Sequence, residues 1–176
     1  MFRCDVRDWV LNHLNFLKSK YTLLAWISGT IILLDQVTKA WITANMPLYR
    51  TVPVIQGFFN ITHIHNPGGA FGFLAAAHPL LRSVVFILVS FLALGLVFYF
   101  FKNTPKTHRF LSVGFALIFG GAVGNLIDRI RMGSVVDFLD FFIGTYHWPA
   151  FNVADSAITV GITIFLIHLV LGKMPE

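Results

Sequence analysis

Four stretches of this chain, residues 21–44, 80–101, 110–127 and 153–171, are long and apolar enough to cross a lipid bilayer. A bilayer core needs about 20 mostly apolar residues per helical span, and 22 residues rising about 1.5 Å each cover about 33 Å. No water is available there, so each span must satisfy its own backbone hydrogen bonds, which dictates helix. Composition agrees, with 56% hydrophobic and 12% charged residues and a mean hydropathy of +0.74, against about 25% charged in soluble domains. A length of 176 residues suits one compact four-span unit and excludes a large single-chain transporter.

The charges that remain report orientation. Lys and Arg outnumber Asp and Glu by 13 to 8, and in a membrane chain such an excess marks cytoplasmic segments, not a nucleic-acid surface. Arg3, Arg7, Lys18, Lys20, Lys102, Lys106 and Arg109 fall on one side, and Arg50, Arg129 and Arg131 on the other. Both termini are therefore expected in the cytoplasm. Residues 1–20, with Val6, Val10, Leu14 and Leu17 at helical spacing among charges, read as an amphipathic surface helix preceding a membrane domain over 21–172. The long apolar run that follows lacks the ending of a cleaved signal peptide. Cys4 is the only cysteine, which excludes an intrachain disulfide or a Cys-ligated metal.

Two outer segments are richer than simple connections. Residues 51–65 are β-branched, aromatic and partly alternating, which predicts a small extracytoplasmic β-sheet, and Asn66-Pro-Gly-Gly ends it in a turn. Residues 132–151 carry Phe138, Phe141, Phe142, Tyr146, Trp148 and Phe151, a composition suited to the lipid–water interface. The expected fold class is an all-α integral membrane protein with four transmembrane helices, a small extracytoplasmic β-sheet and an interfacial aromatic segment.

Asp35, Asp128, Asp137, Asp140 and Asp155 lie in or beside the membrane, where ionisable groups are expensive and mark function. Asp35 and Lys39, four residues apart, read as a mutually neutralised pair. Asn125, Asp128 and Arg129 read as a cluster tying a helix end to a loop. Ala116, Gly120 and Gly124 at four-residue steps permit close helix packing. Asn152 can cap the fourth span with Asp155 at the third helical position, where free amides and the helix dipole favour a carboxylate. Asp137 sits in the apolar Val135-Val-Asp-Phe-Leu-Asp140, where desolvation favours the neutral acid. One carboxyl held ionised and one held neutral suit general base and acid work on a peptide bond, provided segment 129–151 folds back as a hairpin to bring them together. On spacing alone, Asp140 can stand in for Asp137.

Other chemistries fit less well. His63 and His65 share a strand face, but there is no His-Glu-x-x-His and the only Glu is Glu176, so neither a zinc protease nor any other metal or cofactor is expected. Ser134 and Ser156 lack a Gly-x-Ser-x-Gly elbow. The rival from another class is a small proton-coupled carrier with Asp35, Asp128 and Asp155 as its relay. Against it, four of the five acids cluster at one end.

The motifs Leu34-Asp-Gln-Val-Thr-Lys39, Asn66-Pro-Gly-Gly-Ala-Phe-Gly72, Gly120-Gly-Ala-Val-Gly-Asn-Leu-Ile-Asp-Arg129, Val135-Val-Asp-Phe138 and Phe151-Asn-Val-Ala-Asp-Ser156 together resemble those of the lipoprotein signal peptidase family, bacterial signal peptidase II. The resemblance covers roughly residues 30–160. It implies a four-span aspartic endopeptidase of the bacterial inner membrane, working near the periplasmic face. Its substrates would be prolipoproteins bearing a diacylglyceryl cysteine, cut just before that cysteine. It further implies Asp137 and Asp155 as the catalytic pair, which selects Asp137 over Asp140. Asn66, Gly68, Asn125, Arg129, Asn152 and Ala154 would line or brace the site, with Asp35, Lys39 and Asp128 as supporting polar residues. Membrane lipids and the cyclic peptide globomycin are the other expected partners, nucleic acid is not one, and a monomer is expected. Pro67 and Gly69 depart from the commoner form of the second motif, a difference that bears on the shape of that loop.

Overall fold

The protein was analysed as a computed structural model that describes residues 19–68 and 78–174; the expected surface helix over residues 1–20 lies almost wholly outside them, as does the end of the Asn66–Gly72 motif. The elements run α1 (Lys20–Asn45), β1 (Thr51–Ile55), β2 (Phe59–Asn66), α2 (Pro79–Asn103), α3 (Arg109–Met132), β3 (Val135–Ile143), β4 (Tyr146–His147) and α4 (Val153–Val170). All four helices have spanning length and hydropathy.

The small residues decide how the helices pack. α3 lies between the others and contacts all three, because Gly114, Ala116, Gly120, Gly121 and Gly124 leave its surface flat and buried. Ser28 of α1 donates to the Ala116 carbonyl at 2.8 Å. A Cβ at Gly124 would stand 2.7 Å from Asp35 Oδ2, and one at Gly121 would overlap the Ala154 carbonyl and meet Ile158 Cγ1 at 2.8 Å. By contrast α2 buries only Phe101 and turns its apolar surface outward to lipid. Gly121→Ala is therefore expected to force α4 away from α3, a destabilisation of about 1–3 kcal/mol that displaces Asp155 and lowers turnover with it. Gly29, with nothing within 4 Å of an added Cβ, supplies the control: Gly29→Ala should leave both the thermal midpoint in detergent and turnover at or above wild type.

The third span runs five residues beyond the expected end at 127. Asp128 stays helical because Lys39 neutralises it inside the bundle, while Arg129 and Arg131 in the last turn complement the helix dipole. Gly133, at φ 69°, closes the helix in the left-handed conformation, its N–H donating to the Arg129 carbonyl at 3.0 Å.

The sheet is larger than expected. β1 and β2 form a hairpin where a small sheet is expected over residues 51–65, and segment 129–151, whose fold-back as a hairpin is the condition for bringing the acids together, contributes β3 and β4 to the same antiparallel sheet in the order β1-β2-β3-β4. The run Val135-Val-Asp-Phe-Leu-Asp140 reads as apolar rather than alternating because it is covered on both faces: Val136 and Phe138 pack with Ile42 and Met46, while Val135 and Asp137 line a cavity. A register shift in β2 between Ile61 and Ile64 sets Ile64 opposite Asp137 and Asn60 opposite Asp140.

Candidate active site

Asp137 on β3 and Asp155 in the first turn of α4 line one cavity of about 540 Å³ where the sheet meets the helix ends. Its wall also includes Asn66, Gly68, Asn125, Arg129 and Trp148–Phe151. Asp140 is three residues from Asp137, so the pleat turns it to the other face. There its carboxylate accepts from Asn60 Nδ2 and binds His147 Nδ1, both at 2.8 Å.

Asparagines aim the two acids. Asn152 is the N-cap of α4: its Oδ1 accepts from Asp155 N–H at 2.9 Å, and Asp155 Oδ2 accepts from Asn152 N–H at 3.2 Å, a reciprocal capping box. With Oδ1 committed to the cap, the Asn152 amide nitrogen must face away from the helix. It donates to Asp137 Oδ1 at 2.8 Å and to Asn125 Oδ1 at 3.2 Å. Asn66 Nδ2 donates to Asp137 Oδ2 at 3.0 Å, and the Gly68 N–H holds the Asn66 Oδ1 at 3.1 Å. Asn125 Nδ2 donates to Asp155 Oδ1 at 2.8 Å. The cap motif read in the sequence is thus also the link between the two aspartates.

A charged cluster braces this layer from within the bundle. Lys39, Asp35 and Asp128 are 3%, 0% and 2% exposed. All three Lys39 ammonium hydrogens have partners: Asp35 Oδ2 at 2.8 Å, Asp128 Oδ2 at 2.9 Å and Asn125 Oδ1 at 2.9 Å. Asp35 Oδ1 accepts from the fully buried Ala154 at 3.0 Å, and Asp128 Oδ2 from Val136 N–H at 3.2 Å. The pair expected as Asp35–Lys39 is therefore a three-charge group joining α1, α3, α4 and β3. Gln36, given no role from sequence, donates to Asp35, Asp128 and the Gly124 carbonyl. Its only sequence signal is an amide beside a buried acid within a span. Asp35 and Asp128 are clamped here, an arrangement unsuited to a proton relay.

Asp137 is 3% exposed. Burial first, and the nearby Asp155 charge second, push its carboxyl up to about 7 against the pull of the Asn66 and Asn152 amides. Arg129 brings a positive charge to the cavity wall, its guanidinium 5.4 Å from the Phe86 ring centroid. His65, another lining residue not singled out as such from sequence, is held below its ordinary pKa by burial first and by His63 next. His63 Nδ1 meets the Met46 carbonyl at 2.8 Å. Among the described residues no three His, Cys, Asp or Glu side chains gather as a metal site.

The family model for signal peptidase (SPase) II matches residues 27–171. The chain belongs to that family. It is 54% identical over 153 residues to a lipoprotein signal peptidase of Desulforapulum autotrophicum, covering 87% of this chain and 94% of the relative. It is 48% identical to that of Geobacter sulfurreducens, covering 83% and 89%. A solved bacterial membrane enzyme superimposes with a TM-score of 0.78 at 35% identity, covering 86% of this chain and 90% of that one. In a signal peptidase II the carrier reading has no place, and the cavity holding Asp137 and Asp155 becomes the candidate active site.

Replacing Asn152 separates its two tasks. Asn152→Ala should lose about 1 kcal/mol of cap stabilisation and about a hundredfold in turnover, since both acids lose orientation. Asn152→Ser restores the cap but not the amide donor to Asp137. Its thermal midpoint should rise above that of Asn152→Ala by the cap's share while turnover stays low.

Proposed function

We propose that this chain removes signal peptides from diacylglyceryl-modified prolipoproteins as an aspartic endopeptidase, with Asp137 and Asp155 as its catalytic pair. The observation that carries the reading is the pairing itself: two carboxyls on one cavity, Asp137 buried and Asp155 half-buried, both aimed by asparagines, with Asp137 pushed to about 7. The two share one proton, resting on Asp137.

Asp155 takes a proton from a water molecule as the water oxygen attacks the scissile carbonyl carbon, and Asp137 gives its proton to the carbonyl oxygen. The resulting gem-diol collapses when Asp155 returns its proton to the leaving nitrogen and one diol hydroxyl re-protonates Asp137. The C–N bond breaks, a carboxylic acid and an amine form, and no covalent enzyme intermediate is required. Arg129 offers a fixed positive charge to the substrate backbone at the cavity wall. The lipid-bearing cysteine enters from the bilayer with its acyl chains still in hydrocarbon, and Trp148–Phe151 cover the reacting bond and limit bulk water.

The charge distribution supports a placement in the bacterial inner membrane with both termini cytoplasmic and the cavity at the periplasmic face. Asn66, Gly68, Asn125, Asn152 and Ala154 position the pair, and Asp35, Lys39 and Asp128 brace it. The enzyme works as a monomer, and globomycin inhibits by filling the cavity. Cleavage of a purified precursor with and without its diacylglyceryl group tests the substrate assignment. Only the lipidated form should be cut, and equal cutting of both would refute the lipid requirement.

The pH dependence follows from Asp137. The active form has this group protonated, so kcat/KM should fall as pH rises through about 7. Its pKa is raised on folding from 3.8, so the folded state binds the proton more tightly. The stability this contributes is full below pH 3.8 and is lost as pH rises through about 7. Asn66→Ala removes a hydrogen bond that lowers this pKa and should move the alkaline limb of the rate profile upward. An unmoved limb in that variant would remove Asp137 as its source.

A further inference from the structure

At the end of the bundle away from Asp137 lies a second cavity, of about 490 Å³, lined by Ser19, Lys20, Leu23, Trp26, Lys106, Arg109 and Ser112 among others. Its floor is built by Lys20, whose ammonium donates to the carbonyls of Phe101, Lys102 and Thr104. Those are carbonyls of the last turn of α2 and of its C-cap Thr104, so Lys20 ties the start of α1 to the turn that leads into α3. The same turn and the first residue of α3 bring in Lys106 and Arg109. Both are exposed, and neither side chain forms a hydrogen bond or ion pair with any described residue.

No described carboxylate lies at this end. Asp35 is 15 residues along α1 from Lys20, about 22 Å at 1.5 Å per residue. Asp128 is 19 residues along α3 from Arg109, and Asp137, Asp140 and Asp155 belong to the sheet end. The cavity thus holds three cations and no described counter-charge. Leu23 and Trp26 follow Lys20 on the same wall one to two turns deeper, with Trp26 71% exposed. In a four-span chain these residues enter the hydrocarbon region while Lys106 and Arg109 stay at headgroup depth.

We propose that this cavity binds one anionic glycerophospholipid, its phosphate between Lys106 and Arg109 and its acyl chains running over Leu23 and Trp26. Basic clefts between helix ends recognise such headgroups by charge, and the apolar wall below them selects a lipid over a free anion. The proposal rests on the membrane placement of the helices but not on peptide cleavage, so the two readings fail separately.

The test is lipid binding by the purified full-length protein in detergent, read by native mass spectrometry, with phosphatidylglycerol, phosphatidylcholine and inorganic phosphate as probes at matched ionic strength. One phosphatidylglycerol should be retained and phosphatidylcholine should not, and excess inorganic phosphate should not displace the bound lipid. The double variant Lys106→Gln/Arg109→Gln should bind phosphatidylglycerol about thirtyfold more weakly, as expected for two lost surface charges. Its cleavage of a lipidated precursor in detergent should be unchanged, since neither residue touches the active site. Equal retention of the two lipids, undiminished binding by the double variant, or displacement by phosphate would overturn the proposal, the last assigning the cavity to a free anion.

Discussion

Asp137→Asn and Asp155→Asn should each reduce cleavage of a lipidated precursor by about a thousandfold or more while leaving the protein folded. General acid or base catalysis contributes about 10²–10⁴, and each member of a pair sharing one proton is useless without the other. The double variant should therefore be no worse than either single one. Folding should survive because the replacements are isosteric. Asp137→Asn loses at most one of the two hydrogen bonds that its oxygens accept from Asn66 and Asn152, about 1 kcal/mol, and removes a carboxyl that is costly to bury. Asp140→Asn is the matched control. That carboxylate is engaged with Asn60 and His147 on the opposite face, so turnover should stay within severalfold of wild type. Loss of cleavage in all three variants with intact melting would instead point to a general demand for negative charge at this end.

Lys39→Met should destabilise the protein more than any other single substitution considered. It leaves Asp35 and Asp128 buried without their shared cation, a change that typically costs about 3–5 kcal/mol. It also leaves Asn125 Oδ1 with only the 3.2 Å bond from Asn152, which loosens the amide aimed at Asp155. The measurement is thermal unfolding in detergent together with cleavage. If electrostatics is the cause, adding Asp128→Asn to Lys39→Met should recover part of the lost stability, a non-additivity of about 1 kcal/mol or more. Strictly additive effects would show that Lys39 acts through packing alone.

The spans, the small sheet over residues 51–65 and the Asn152 cap are legible in the sequence because each has a local signal: apolar length, alternation before Asn66-Pro-Gly-Gly, and an Asn three residues before an Asp. Asp137 and Asp155 were legible as acids in contrasting settings, but choosing Asp137 over Asp140 required the family resemblance. The two differ by pleat and register, which depend on pairing with a strand about 75 residues earlier in the chain. β3 was missed as a strand because burial on both faces removes its alternation. The reach of α3 past residue 127 is not legible because Asp128, Arg129 and Arg131 end the apolar run without ending the helix. Gln36 was overlooked since its partners Gly124 and Asp128 come from another helix.

The most direct test of the central claim is a single-turnover reaction of wild-type protein with one diacylglyceryl-modified prolipoprotein in ¹⁸O-labelled water, read by mass spectrometry. The account predicts one cut, immediately before the lipidated cysteine, with a single ¹⁸O in the new carboxylate of the released signal peptide. It further predicts no covalent acyl-protein at any time and no product with Asp137→Asn. A cut elsewhere, an acyl-protein intermediate, or the same labelled product from Asp137→Asn would contradict it.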